Sequence, residues 1–151
     1  MLNILAKNPE PKVLEIGIDR GVTLLPIVTS LCAVSNNYLY VGVDVKVQES
    51  LILTLRNMPK PIPQSTFLFE ENSLTALPRF VEQGLKFDLI LLDGDHNYHT
   101  VSQELKYMDA LLAPDGMLVI DDYYGKWADR DLWYSQRPEY GENVNASKFV
   151  E

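Results

Sequence analysis

The chain has 151 residues, 46% of them hydrophobic and 23% charged, and carries a net charge of −8. That size and balance suit one soluble globular domain over residues 1–151, with enough apolar material for a core that needs no staples. The acidic excess and the lack of a basic stripe exclude a nucleic-acid backbone as a partner, and nothing here is drawn to an anionic membrane surface.

The opening MLNILAKNPEPK is too short and too polar for a signal peptide. Val13 to Gly17 is an apolar run stopped by glycine and reads as a first strand. A turn covers Ile18 to Gly21, and an apolar helical pattern runs from Val22 to Val34, with Pro26 in its first turn. The stretch from Leu24 to Val34 is too short to cross a bilayer. Cys32 lies in this helix and reads as a small buried hydrophobe; one cysteine permits no internal disulfide, which fits a reducing, cytoplasmic setting.

Tyr38 to Val43 is the second strand, closed by Asp44, and a helix covers Gln48 to Arg56. Met58 to Pro63 holds three prolines and reads as a loop. Thr66 to Phe69 is the third strand, ending in Glu70, Glu71, Asn72 and Ser73. A helix follows from Leu74 to Gln83 and stops at Gly84. Phe87 to Leu92 is apolar on both parities, as a strand buried on both faces should be. The next helix, Tyr98 to Leu112, keeps Val101, Leu105, Met108 and Leu111 on one face. Pro114-Asp115-Gly116 is a turn, and Met117 to Ile120 is the fifth strand, ending at Asp121-Asp122.

Strand and helix alternate about five times, so the expected architecture is α/β, a doubly wound parallel sheet with helices on both faces. In such sheets ligands bind beyond the carboxyl ends of the strands, where the winding reverses. Each polar cluster falls at such an end: Glu15 to Gly21, Asp44, Glu71-Asn72-Ser73, Asp93 to His96, and Asp121-Asp122. Together they describe one rim. The first loop is E-x-G-x-x-x-G, not the G-x-G-x-x-G that brings a pyrophosphate to a helix N-terminus. A carboxylate at Glu15 beside Gly17 and Gly21 favours a cationic ligand, and the glycines let the backbone approach it closely.

VLEIGIDRG followed by YVGVD resembles the first two motifs of class I S-adenosylmethionine-dependent methyltransferases. LLDGDHNYHTVSQELKYMDALLAPDGMLVIDDYYG resembles the small-molecule O-methyltransferases of that class, the catechol, caffeoyl-CoA and macrolide-sugar types. The likeness covers about residues 12–125. It implies a Rossmann-like sheet in the order 3-2-1-4-5, with the usual sixth and seventh strands missing. It also implies S-adenosylmethionine as cofactor and a small-molecule hydroxyl as acceptor. Glu15, Gly17, Ile18 and Gly21 would surround the methionine part of the cofactor. Asp44, 23 residues after Gly21, would accept the ribose hydroxyls. Asn72 stands where the family usually has Asp near the adenine, with Ser73 and Asp93 beside the cofactor. Asp93, Asp121 and Asp122 match the metal positions of the metal-dependent members, and hard oxygen donors favour Mg²⁺, Mn²⁺ or Ca²⁺ over Zn²⁺. Asp93 and His96 are the expected catalytic pair, with His96 as general base.

Plainer roles stand beside these. Glu15 could pair with Arg20, and Asn72, Ser73 and Asp95 could cap helices. The three strand-end aspartates could be solvated without a metal. His96 could be structural, and His99 belongs on the surface. Tyr123, Tyr124, Trp127, Trp133 and Tyr134 either line an apolar pocket or pack over the sheet edge. The competing functions are a nucleotide- or NAD-binding oxidoreductase and a catalytically silent binding domain. The polar tail begins a helix at Val144 to Glu151 and stops inside it, which reads as a piece of something longer. An open sheet edge beyond the fifth strand leaves room for a homodimer.

Overall fold

The computed structural model describes residues 8–96 and 98–121. The elements in chain order are β1 (Lys12–Ile16), α1 (Leu24–Val34), β2 (Leu39–Asp44), α2 (Glu49–Arg56), α3 (Ile62–Ser65), β3 (Thr66–Glu70), α4 (Ser73–Glu82), β4 (Phe87–Leu92), α5 (Tyr98–Leu111) and β5 (Leu112–Ile120). The strands form one sheet in the order β3-β2-β1-β4-β5, every neighbouring pair parallel. This is the doubly wound order expected from the sequence.

Alternate residues of each strand feed two cores. Val13, Tyr40, Leu89 and Leu91 pack with Leu24, Val28 and Leu31 of α1, Leu51 and Leu55 of α2, and Ile62 of α3. Leu14, Ile16, Val41, Val43, Ile90 and Leu92 pack on the other face with Ala76, Leu77 and Phe80 of α4 and Met108 and Leu111 of α5. Full burial of one such side chain contributes about 2 kcal/mol, so the two-sided strands account for much of the driving force. The winding of the sheet reverses between β1 and β4, which are direct parallel neighbours: the connections after β1 and β2 cover one face, those after β3 and β4 the other. Asp88, the polar residue within β4, is used at the opposite end of the strand. Its carboxylate accepts Asn8 Nδ2 at 2.9 and 3.0 Å and the Lys12 amide at 2.8 Å, tying Asn8 and the start of β1 to β4.

Several expectations are corrected. The proline-rich 58–63 segment is not all loop. A cis Lys60–Pro61 bond leads into α3, which tolerates Pro63 because the first helical turn needs no amide from that residue. α4 starts at Ser73, one residue earlier than expected, because Asn72 caps it: Asn72 Oδ1 accepts the Leu74 amide at 2.8 Å. β5 extends back to Leu112. Leu112 pairs with Phe87 and Met117 with Leu89, so residues 113–116 stand opposite Asp88 alone. The expected turn is therefore a bulge inside the strand, with Asp115 at φ +63°. Cys32 is half-buried and packs on the edge of the first core. The 122–151 segment, with Asp122, the aromatic group and the expected terminal helix, lies outside the described residues.

Candidate functional site

β1 delivers Glu15 to the rim and then turns sharply. Gly17 donates its amide to Val43 O at 2.9 Å and sits at φ +87°, a left-handed conformation that favours glycine. The crowding is as demanding as the dihedral. A Cβ on Gly17 would lie 2.1 Å from the Asp93 carbonyl oxygen. The glycine thus lets the ends of β1 and β4 touch, where Asp93 donates its amide to Ile16 O at 2.8 Å. The turn closes through Gly21 N–H to Ile18 O at 2.8 Å, and α1 begins beyond it.

Asp44 at the end of β2 builds the same loop from the side. Its Oδ2 accepts the amides of Ile18 and Asp19 at 2.7 and 2.9 Å, and its Oδ1 accepts the Lys46 amide at 3.0 Å. Amides fixed on a carboxylate are among the stronger hydrogen bonds of a protein. Asp19 accordingly holds φ +43° without being glycine. The next strand end joins the row through Glu71 N–H to Asp44 O at 2.9 Å.

Glu15 is 1% exposed. It does not pair with Arg20; Tyr40, on the register-adjacent strand β2, donates its hydroxyl to Glu15 Oε2. Burial pushes the Glu15 carboxyl up to about 8, and the carboxylates of Asp93 and Asp44 add in the same direction. A buried carboxyl crowded by two more is a poor partner for a phosphate and a good one for a cation.

Glu15, Thr23, Leu91, Leu92, Asp93, Val119 and Asp121 line one cavity of about 150 Å³ at the switch point between β1 and β4. Asp95 and His96 continue the loop from Asp93, both half-buried. A second cavity, about 230 Å³, lies beside β3 between Ile52, Arg56, Pro63 and Leu68. It holds none of the strand-end acids, so chemistry favours the smaller one.

The expected cofactor residues Glu15, Gly17, Ile18, Gly21, Asp44 and Asp93 therefore meet around one loop. Asn72 and Ser73 lie two strands away on the same rim, and both carry structural duties. Asn72 caps α4. Ser73 donates its hydroxyl to Glu104 Oε1 of α5 at 2.6 Å. Asp93 and Asp121 end adjacent strands, joined by Asp121 N–H to Leu92 O at 2.9 Å. Among the described residues no group of three or more His, Cys, Asp or Glu could hold a metal ion, and Asp122 is not one of them. Tyr40 and Glu104 had not been singled out from sequence. Tyr40 carried no signal there, because only sheet register brings its hydroxyl to Glu15. No helix among the described residues is long and apolar enough to cross a membrane.

A family profile described as a methyltransferase domain matches residues 14–123. No curated protein is significantly similar in sequence. Solved structures share the fold. The MycE methyltransferase of the mycinamycin biosynthetic pathway, in complex with Mg, SAH and mycinamycin VI, aligns over 97% of this chain and 35% of its own, at 16% identity and a TM-score of 0.59. CalS11, a TDP-rhamnose 3′-O-methyltransferase of calicheamicin biosynthesis, aligns over 89% of this chain and 66% of its own, at 16% identity and a TM-score of 0.63. A Staphylococcus aureus protein assigned as a caffeoyl-CoA O-methyltransferase aligns over 96% of this chain and 77% of its own, at 15% identity and a TM-score of 0.59. The chain spans about a third of the length of MycE.

Proposed function

We propose, because this chain belongs to the methyltransferase-domain family, that it transfers the methyl group of S-adenosylmethionine to a hydroxyl oxygen of a small molecule. The observation that carries the reading is the meeting of Glu15, Asp44 and Asp93 around the Gly17–Gly21 loop at the switch point of the sheet. A sulfonium and an ammonium group suit a cradle of carboxylates, and a half-buried strand-end acid such as Asp44 suits ribose hydroxyls. The match to a methyltransferase domain and the SAH bound in MycE support the cofactor. The hydroxyl acceptor is supported by the name of CalS11.

The acceptor oxygen would attack the methyl carbon in line with the carbon–sulfur bond. That bond breaks, its electron pair stays on sulfur, and S-adenosylhomocysteine leaves. His96, three residues past Asp93 in the same loop, would take the hydroxyl proton. Holding oxygen, carbon and sulfur in line supplies much of the rate. A divalent ion would draw hard oxygen donors from Asp93 and Asp121 and the third from Asp122. When bound it would lower the pKa of the acceptor hydroxyl.

Calorimetric titration of the wild type and Asp44→Ala with S-adenosylhomocysteine tests the reading. Micromolar binding that the variant loses supports it, and a screen of sugar and catechol-like hydroxyls with labelled cofactor then follows. A folded wild type that binds no S-adenosylhomocysteine overturns it for this chain.

A further inference from the structure

The face of α5 turned to the core carries two polar side chains one turn apart. Thr100 and Glu104 are 6% and 2% exposed. Glu104 Oε1 accepts the Ser73 hydroxyl at 2.6 Å, and Thr100 Oγ1 donates to Asp95 Oδ2 at 2.8 Å. Ser73 opens α4 directly after its cap Asn72, and Asp95 lies in the loop after β4. One helix face thus holds the rim segment after β3 and the rim segment after β4. Burying a carboxyl is costly, and a leucine would pack α5 onto α4 without that cost. Burial and the nearby Asp95 push the Glu104 carboxyl up, while the Ser73 hydroxyl opposes them. The position is therefore poor for stability and well placed for holding Ser73.

We propose that Glu104 is a positioning residue: acting through Ser73, it fixes the Asn72–Ser73 turn on which the adenine end of the cofactor would rest, and so sets cofactor affinity without touching the cofactor. The inference rests on the methyltransferase reading. It concerns a residue of α5 that lies outside the strand-end motifs.

The test is calorimetric binding of S-adenosylhomocysteine, with a thermal melt of each protein, for the wild type, Glu104→Gln, Glu104→Leu, Ser73→Ala and the Ser73→Ala/Glu104→Leu double variant. Gln keeps an oxygen that accepts the Ser73 hydroxyl, so its affinity stays within about threefold of the wild type. Glu104→Leu loses about tenfold in affinity, the worth of one ordinary hydrogen bond. Its melting temperature holds or rises, which a merely structural role does not predict. Ser73→Ala loses about as much, and the double variant no more than either single one. Wild-type affinity in Glu104→Leu, or additive losses in the double variant, overturns the proposal and leaves the function standing. If Glu104→Leu does not fold, Ser73→Ala decides: unchanged affinity there overturns it. A wild type that fails to bind removes the function first, and this proposal with it.

Discussion

The Tyr40 hydroxyl donates to the Glu15 carboxyl, and the two residues are 0% and 1% exposed. An acid is thus held in the wall of the cleft under a phenol, beside the strand-end carboxylates of Asp93 and Asp44. The unfolded chain would release the Glu15 proton near the ordinary value of 4.5, whereas the folded chain keeps it up to about 8. The folded state therefore binds more protons across that window. Stability from this group is complete below 4.5 and is lost as pH rises through about 8. Glu104, raised to about 7, acts with the same sign. Melting temperature should fall between about pH 5 and pH 8.5. Glu15→Gln, which still accepts from Tyr40, should flatten the profile and melt higher than wild type at the alkaline end. Circular dichroism melts at stepped pH check this. Parallel profiles for the two proteins would remove Glu15 as the cause.

Among the described residues three glycines share a positive φ and differ in what surrounds them. At Gly17 an added Cβ meets the backbone of Asp93 at 2.1 Å, at Gly21 it meets the end of the Leu51 side chain at 2.5 Å, and at Gly84 nothing lies within 4 Å. Alanine at Gly84 should cost only the left-handed strain, about 1 kcal/mol. Alanine at Gly21 adds a shift of Leu51, for about 2 kcal/mol in all. Alanine at Gly17 must separate β1 from β4, and a cost of more than about 3 kcal/mol with loss of ligand binding is expected. Chemical denaturation of the three variants gives the ranking. A Gly17→Ala protein as stable as Gly84→Ala would contradict the close approach of the two strands.

Asp44 offers a graded test. Alanine removes the acceptor of the Ile18, Asp19 and Lys46 amides. It should cost about 1–3 kcal/mol of stability as well as ligand affinity. Asparagine keeps one oxygen and should fall between alanine and wild type in both. Denaturant midpoints that do not move in Asp44→Ala would show that the carboxylate does not build the loop.

Removing divalent ions separates transfer from binding. With EDTA, methyl transfer should drop at least about tenfold while S-adenosylhomocysteine affinity stays within about twofold, because on the proposed mechanism the ion would act on the acceptor and not on the cofactor. Asp121→Asn should reproduce the EDTA pattern. Undiminished turnover in EDTA would remove the metal from the proposed mechanism and leave the cofactor part intact.

The strands and their order were legible because each buried run in this chain ends in a polar residue at the same end: Glu15 to Gly17, Asp44, Asn72, Asp93, Asp121. The rim was readable for the same reason. Tyr40 was not, since its hydroxyl meets Glu15 on the neighbouring strand, 25 residues away in sequence. Glu104 could have been found. It sits four residues after Thr100 and four before Met108, inside the apolar stripe of α5, where an acid is out of place. α3 escaped because proline density signals a loop, and the first turn of a helix is the exception.

The Asp44 carboxylate grips three backbone amides of its own chain. The entropy of ordering the glycine loop is therefore lost during folding, and little of it is left to oppose association. A loop ordered in this way by folding brings little ordering cost of its own to the association step. The same carboxylate that would recognise the ribose thus also meets, in folding, the cost of ordering the loop around it.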